Sequence, residues 1–291
     1  MASLKEIKAR ISSVSSTLKI TQAMKMVSSA KLRKAQKMVA GLDAYKEALY
    51  DILTRLKEYV SSSPLARPLA GGGRTAIVVF SSNTALCGSY NANIFKALGA
   101  RVRKIQNESG SPIVIPVGEK VAKMARKAGY DINGDFIAAG DKLSYEEIAP
   151  LGQYLIDEFL KGTFSSVELL FMRYMSASRQ VMENRVWLPV ASDQVVTLAE
   201  DDIPPLPDDL IIEPSKEEVV EKLLPLAMRT DMYATLLSSN ASENACRMIA
   251  MQTASDNAED LLSELRLTYN KQRQQVITEE LTDISNGKLG S

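Results

Sequence analysis

Apolar residues recur at alternating spacings of three and four from Leu4 onward. The series is Leu4, Ile7, Ile11, Val14, Leu18, Thr21, Lys25, Ser28, Leu32, Ala35, Val39, Leu42, Lys46, Leu49, Leu53, Leu56 and Val60. A seam of this period, held for about eight heptads, predicts a left-handed coiled-coil helix. Gly41 is its one internal glycine, and Ser61-Ser62-Ser63-Pro64 ends it. At 1.5 Å per residue the helix would be roughly 85 Å long. A small globular domain cannot cover such a stripe, so a second long helix must.

The far end of the chain offers one. A helix is expected from about Ser215, interrupted or bent near Pro225, with no further proline or glycine until Gly287. Its seam runs through Leu237, Ala241, Asn244, Met248, Met251, Ser255, Ala258, Leu262, Leu265, Tyr269, Gln272 and Val276. About sixty residues give roughly 90 Å, which matches the first helix. The shortest path brings the second helix back antiparallel. The seam fades at Gln272-Arg273-Gln274-Gln275, so the last residues are expected to lack a helical partner.

Between the helices the period changes. Pro68 and Gly71-Gly72-Gly73 make a joint, and Thr75–Ser81 reads as a buried strand. Residues 90–106 read as a helix, and Pro112–Val117 as a strand whose end Pro116 demotes. Helices follow at 119–128 and at Ser144–Lys161, the latter with Ser144 and Glu147 as a capping box. Val167–Tyr174 and Gln180–Val190 resemble two neighbouring strands. Strands alternating with helices predict an α/β domain with a largely parallel sheet. Residues 192–212, with Pro204-Pro205, Pro207 and paired aspartates, form a linker. The division is therefore 1–62 (helix), 74–191 (α/β domain), 192–212 (linker) and 213–286 (helix).

Charge changes this picture more than size does. The 291-residue chain is formally neutral, yet residues 1–40 carry nine Lys/Arg against the single acid Glu6. From Glu213 onward acids outnumber bases. A basic helix beside an acidic one favours their pairing, while a solvated helix face accounts for many of the charges. Lys25, Ser28 and Lys46 sit in the seam, where they would cost stability in a dry coil. Either these lysines snorkel, or this stretch faces something other than a fixed helix, such as a surrounding protein surface.

The candidate chemistry is sparse. The chain has no histidine, which removes Ser-His and Cys-His nucleophile systems and the usual zinc sites. Cys87 and Cys246 suggest neither a disulfide framework nor a metal knot. Gly88-Ser89 and Gly118-Glu119-Lys120 follow strands but form no phosphate-cradling motif. Met1 is not followed by a signal-peptide core, and no apolar run would span a bilayer, so an intracellular chain is expected. The patterning favours a mechanical or scaffolding part over an enzyme.

Five stretches, in order along the whole chain, resemble the gamma subunit of the F-type proton-translocating ATP synthase, in its bacterial form. The first is Arg10-Ile11 with Lys19-Ile20-Thr21-Gln22-Ala23-Met24-Lys25-Met26-Val27 and Ala30-Lys31-Leu32-Arg33-Lys34-Ala35-Gln36. The second is the loop Leu86-Cys87-Gly88-Ser89-Tyr90-Asn91, and the third Glu213-Pro214-Ser215 with Leu223-Leu224-Pro225. The fourth is Ala241-Ser242-Glu243-Asn244-Ala245, Arg247-Met248, Ala250-Met251 and Asp256-Asn257-Ala258. The last is Ile277-Thr278-Glu279-Glu280-Leu281, Asp283-Ile284 and Gly287. Thr84-Ala85 and Lys288 depart from the family pattern, and the cysteine-paired segment of chloroplast forms is lacking.

The resemblance implies a long antiparallel coiled coil of N- and C-terminal helices with an inserted Rossmann-like α/β domain. It implies a non-catalytic central rotor shaft that couples transmembrane proton flow to ATP synthesis or hydrolysis at the beta subunits. Three alpha and three beta subunits, epsilon and the c-subunit ring are the implied partners. Mg-ATP and ADP belong to partner subunits, none to this chain, which would lie peripherally on the cytoplasmic face of the bacterial plasma membrane. Gln22, Met24, Lys25, Lys31, Arg33, Arg247, Gln272, Arg273, Thr278 and Glu280 are the implied rotor–stator contacts. For Met24 ordinary packing competes with that role, and for Arg247 an ion pair with Glu243. A free-standing coiled-coil adaptor and a basic-helix nucleic-acid protein are the readings from other classes.

Overall fold

The computed structural model describes residues 3–67, 73–108, 110–191 and 212–288, and side chains as far as Thr282. The joint at residues 68–72 and the linker at 192–211 lie outside the described residues. In chain order the elements are α1 (Leu4–Arg55), α2 (Lys57–Ser62), β1 (Arg74–Phe80), α3 (Tyr90–Asn107), β2 (Pro112–Val117) and α4 (Glu119–Lys127). They continue with α5 (Tyr145–Leu160), β3 (Phe164–Tyr174), β4 (Gln180–Leu188) and a C-terminal helix α6 (Lys216–Lys288). The fold is thus a pair of long antiparallel helices with an α/β domain between them in sequence.

The first seam is right at every position. No residue of the Leu4-to-Val60 series is exposed; each is buried or half-buried. The second seam holds from Leu237 to Gln272 and then stops, with Val276 exposed. The helices form by period and then persist because each covers the other's apolar stripe.

The chain divides into two compact units, residues 1–29 with 247–291, and residues 30–246. The first unit is helix against helix. Ile7, Met251, Ala258 and Leu262 are buried there, together with the small polar residues Thr21, Ser28 and Ser255. The Thr21 and Ser255 hydroxyls meet at 2.8 Å. From Arg273 to Thr282 every side chain is exposed.

The second unit contains the sheet, in the order β2-β1-β3-β4. β1 is parallel to β2 and β3, and β4 returns antiparallel to β3. Alternation along β1 sends Ala76, Val78 and Phe80 to one face and Ile77 and Val79 to the other. The first face packs on α5 (Ile148, Leu151, Leu155, Phe159) and on the helix pair (Leu49, Leu53, Leu56, Val60, Leu224, Met228, Met232, Leu236). α3 and α4 cover the second face with Ile94, Leu98, Val102, Ile105 and Val121. The long helices therefore serve this domain as one of its layers.

β2 spans Pro112–Val117 as expected, and Pro116 near its end pairs with Val79, because β2 is an edge strand where a missing N–H is tolerated. One local expectation is corrected. Ser144 occupies the N-cap of α5 but makes no side-chain cap bond. Glu147 turns back instead, accepting from the Lys142 amide at 3.0 Å and pairing with its ammonium at 3.1 Å. Near Pro225, where an interruption or a bend is expected, α6 is continuous.

Candidate functional site: the helix-pair surface and its polar anchor

The contact residues implied by the sequence fall in both units and differ in burial. In the smaller unit Gln22 is exposed, and its amide donates to Glu259 Oε1 at 3.2 Å. Met24 and Lys25 are half-buried at the helix interface, and Arg247 is buried. Gln272 is half-buried, whereas Arg273, Thr278 and Glu280 are exposed, with the Thr278 hydroxyl returned to the Gln274 carbonyl at 2.8 Å. Lys31 and Arg33, in the larger unit, are exposed.

The basic charge of α1 faces outward. Of the nine Lys/Arg in residues 1–40, all but Lys25 are exposed. Over this stretch the basic charge therefore lies on the solvent side of α1. Exposed apolar side chains interrupt it: Ile20, Met26 and Val27 on α1, then Leu261, Leu267, Ile277 and Leu281 on α6. Leu267 and Leu281 are 70% and 62% exposed, although both lie within the continuous helix α6. Apolar side chains left open beside charge at one end of a helix pair suit burial by another protein.

Where a doubly wound domain usually holds phosphate, this one is filled by its own loop. At the N-terminus of α4 the Glu119 amide donates to Asn83 Oδ1 at 3.0 Å, the Lys120 amide to the Ser82 carbonyl at 3.1 Å and the Val121 amide to Ser81 Oγ at 3.2 Å. Three donors that would cradle an anion are satisfied internally. Gly118 permits this: its φ is +110°, and a Cβ there would lie 2.4 Å from the Ser81 carbonyl oxygen. The loop is further tied by Ser82 to Asn91 and Cys87, and it holds Leu86 exposed at a φ of 67°.

The strongest electrostatic feature lies deeper. Asp231 of α6 is buried, and its carboxylate receives Lys46 Nζ of α1 at 2.8 Å and Arg185 Nη2 of β4 at 2.6 Å. Arg185 Nη2 also donates to Thr235 Oγ1 at 2.9 Å, one helical turn further along α6. Burial pushes the Asp231 carboxyl up, but Arg185 and Lys46 outweigh it and hold it below the usual carboxylate range. Burial likewise drives the Tyr50 phenol well above its ordinary value, with Asp231 adding to the effect. The oxygen-to-nitrogen contacts place no reactive group in a cleft; they join three elements. Lys46 stands out in the sequence as a fault in the seam. Asp231, Arg185 and Thr235 do not, although Asp231, Thr235 and Ser239 are polar at four-residue spacing along the buried face of α6.

Comparison with known proteins agrees over nearly the full length. A family model described as ATP synthase matches residues 3–288. An ATP synthase gamma chain of Phocaeicola vulgatus is 44% identical, over 99% of this chain and 100% of its own length. One from Parabacteroides distasonis is 42% identical, over 99% of this chain and 98% of its own. Among solved structures, a chain of the Euglena gracilis mitochondrial ATP synthase in rotational state 3 has a TM-score of 0.63 at 18% identity, covering 99% of this chain and 94% of that one. A chain of the central stalk and c-ring of the Tetrahymena thermophila enzyme has a TM-score of 0.58 at 24% identity, covering 81% and 99%. The structural likenesses speak to the fold alone. The sequence relatives and the family model place the chain in the ATP synthase gamma-chain family, the non-catalytic rotary subunit of that enzyme.

Proposed function

We propose that the chain is the central rotor shaft whose turning couples transmembrane proton flow to ATP synthesis or hydrolysis at beta subunits. The observation that carries this reading is the contrast along one helix pair. At one end its apolar and basic side chains stay open, and at the other the same two helices are a layer of an α/β domain. In this reading the open end stands inside a ring of three alpha and three beta subunits. The α/β domain meets epsilon and the c-subunit ring. Mg-ATP and ADP are held by the partners, and rotation shifts the conformational populations of their sites.

The working parts follow the helix at 1–62, the domain at 74–191, the linker at 192–212 and the helix at 213–286. Lys31, Arg33, Arg273, Thr278 and Glu280 are the first candidates for direct contact because they are exposed. Gln22 can reach a partner while bonded to Glu259, and Gln272 from its half-buried position. Met24, Lys25 and Arg247 act in the same interface from within the helix pair. Attachment to the cytoplasmic face of a bacterial membrane is peripheral, through the complex; no helix among the described residues is long and apolar enough to cross a membrane.

Reconstitution with alpha and beta subunits tests this directly. One copy per three alpha–beta pairs, with faster cooperative ATP hydrolysis than the ring without it, is the expected result. A chain that stays outside the ring and leaves turnover unchanged would instead support a free-standing coiled-coil adaptor.

A further inference from the structure

The polar cluster around Asp231 is an inefficient way to obtain stability. Removing two or three charges from water costs several kcal/mol per ion, and apolar replacements of equal volume are often neutral or better. What such a cluster supplies is position. The apolar packing of Leu49, Leu53, Met228 and Met232 depends on buried area and changes little when a helix turns a few degrees about its axis. A charge-assisted hydrogen bond near 2.7 Å weakens steeply when either partner shifts.

The cluster is also placed to resist turning. Lys46 comes from α1, Asp231 and Thr235 from α6, and Arg185 from the outer strand β4, so one carboxylate is held from two elements at once. Arg185 is itself braced: its guanidinium carbon lies 5.8 Å from the Phe171 ring, and its Nε is 3.6 Å from Glu183, which also pairs with Arg173. Further along α6 the Tyr174 amide donates to Ser238 Oγ at 3.1 Å, and Tyr90 bonds Ser239 Oγ at 2.8 Å. The face of α6 turned to the sheet therefore carries directional ties on successive turns.

We propose that Lys46, Asp231 and Arg185 form a torsional key that locks the helix pair to the α/β domain, so that torque on one is delivered to the other. This rests on the rotor-shaft reading above. The three are positioning residues: they touch no nucleotide and act by fixing the azimuth of both helices against the sheet. Thr235 steadies the arginine, and the ties at Ser238 and Ser239 share the strain.

The test uses the assembled enzyme with its alpha–beta ring stalled by a non-hydrolysable ATP analogue and a bead attached to the α/β domain. The triple variant Lys46→Met/Asp231→Leu/Arg185→Met replaces the key with apolar side chains of similar length. Its angular variance should rise about twofold over wild type while the unloaded ATPase of the complex stays near normal, because packing persists without the directional ties. Lys46→Arg, which keeps charge and donors, should return wild-type variance. Wild-type variance in an assembled triple variant overturns the proposal. Should the triple variant not assemble, Lys46→Gln with Thr235→Val removes two ties and leaves Arg185 on Asp231. A smaller rise in variance then supports the key, and no rise overturns it. Failure of the rotor reading is distinguishable, since the wild-type chain itself would then not enter the ring.

Discussion

The same two helices meet in both units, yet they are built to different standards. In residues 30–246 they are held by aromatic and branched side chains, with Leu53, Phe159 and Phe164 fully buried, and by a charge cluster centred on the buried Asp231. In residues 1–29 with 247–291 the buried seam contains Thr21, Ser28 and Ser255 where a dry coiled coil would place leucine. Beyond Gln272 the second helix is exposed all round as far as Thr282. The lesson is that one chain can leave apolar surface open for partners at one end while burying its apolar surface internally at the other.

Changes in the larger unit should break it, and the most damaging is loss of core volume. Phe159→Ala, opening a cavity beneath the sheet, is expected to cost about 3–5 kcal/mol in denaturant unfolding of the full chain. Asp231→Ala should cost a similar or slightly smaller amount, about 3–5 kcal/mol, because it strands Lys46 without its counter-charge and leaves Arg185 only Glu183 at 3.6 Å. The same residue sets a pH signature. Its carboxyl is held below the unfolded value, so its contribution is fully present above an unfolded pKa of about 3.9 and is lost as pH falls through the folded value. Acid titration of stability should therefore be shallower in Asp231→Asn than in wild type below about pH 4. An unchanged acid limb would mean that the cluster is not ionised as described.

The smaller unit should tolerate more. Thr21→Ala removes one hydroxyl of the pair with Ser255, whose own bond to the Met251 carbonyl at 2.8 Å remains. A loss of about 1 kcal/mol is expected by thermal unfolding, and a loss as large as that at Asp231 would erase the contrast between the units. Ile277→Ser with Leu281→Ser should do least to the free chain, within about 0.5 kcal/mol, because both side chains are exposed. In a reconstituted alpha–beta complex the same double change should lower ATPase activation. Normal activation there would remove this helix end from the partner surface.

Much of the architecture is legible in the amino-acid order. The 3–4 spacing marks both helices, and every position of the first seam is covered, because a repeat of hydrophobic burial is written locally in the chain. Alternation and turn residues likewise locate the strands and the helices between them. The exception falls where a local motif has a competing partner: the Ser144 cap fits a sequence rule, yet Glu147 bonds Lys142 instead.

By itself, then, the sequence determined the paired helices, the α/β class and, through five dispersed stretches, the gamma-chain resemblance. Tertiary structure alone decided what the polar seam residues do. Lys46 reads as a defect until Asp231, 185 residues later, and Arg185 from an edge strand are brought to it. Nothing local encodes that meeting: Lys46 and Asp231 would each be unfavourable on a buried helix face, and only the assembled fold brings their opposite charges within hydrogen-bond reach.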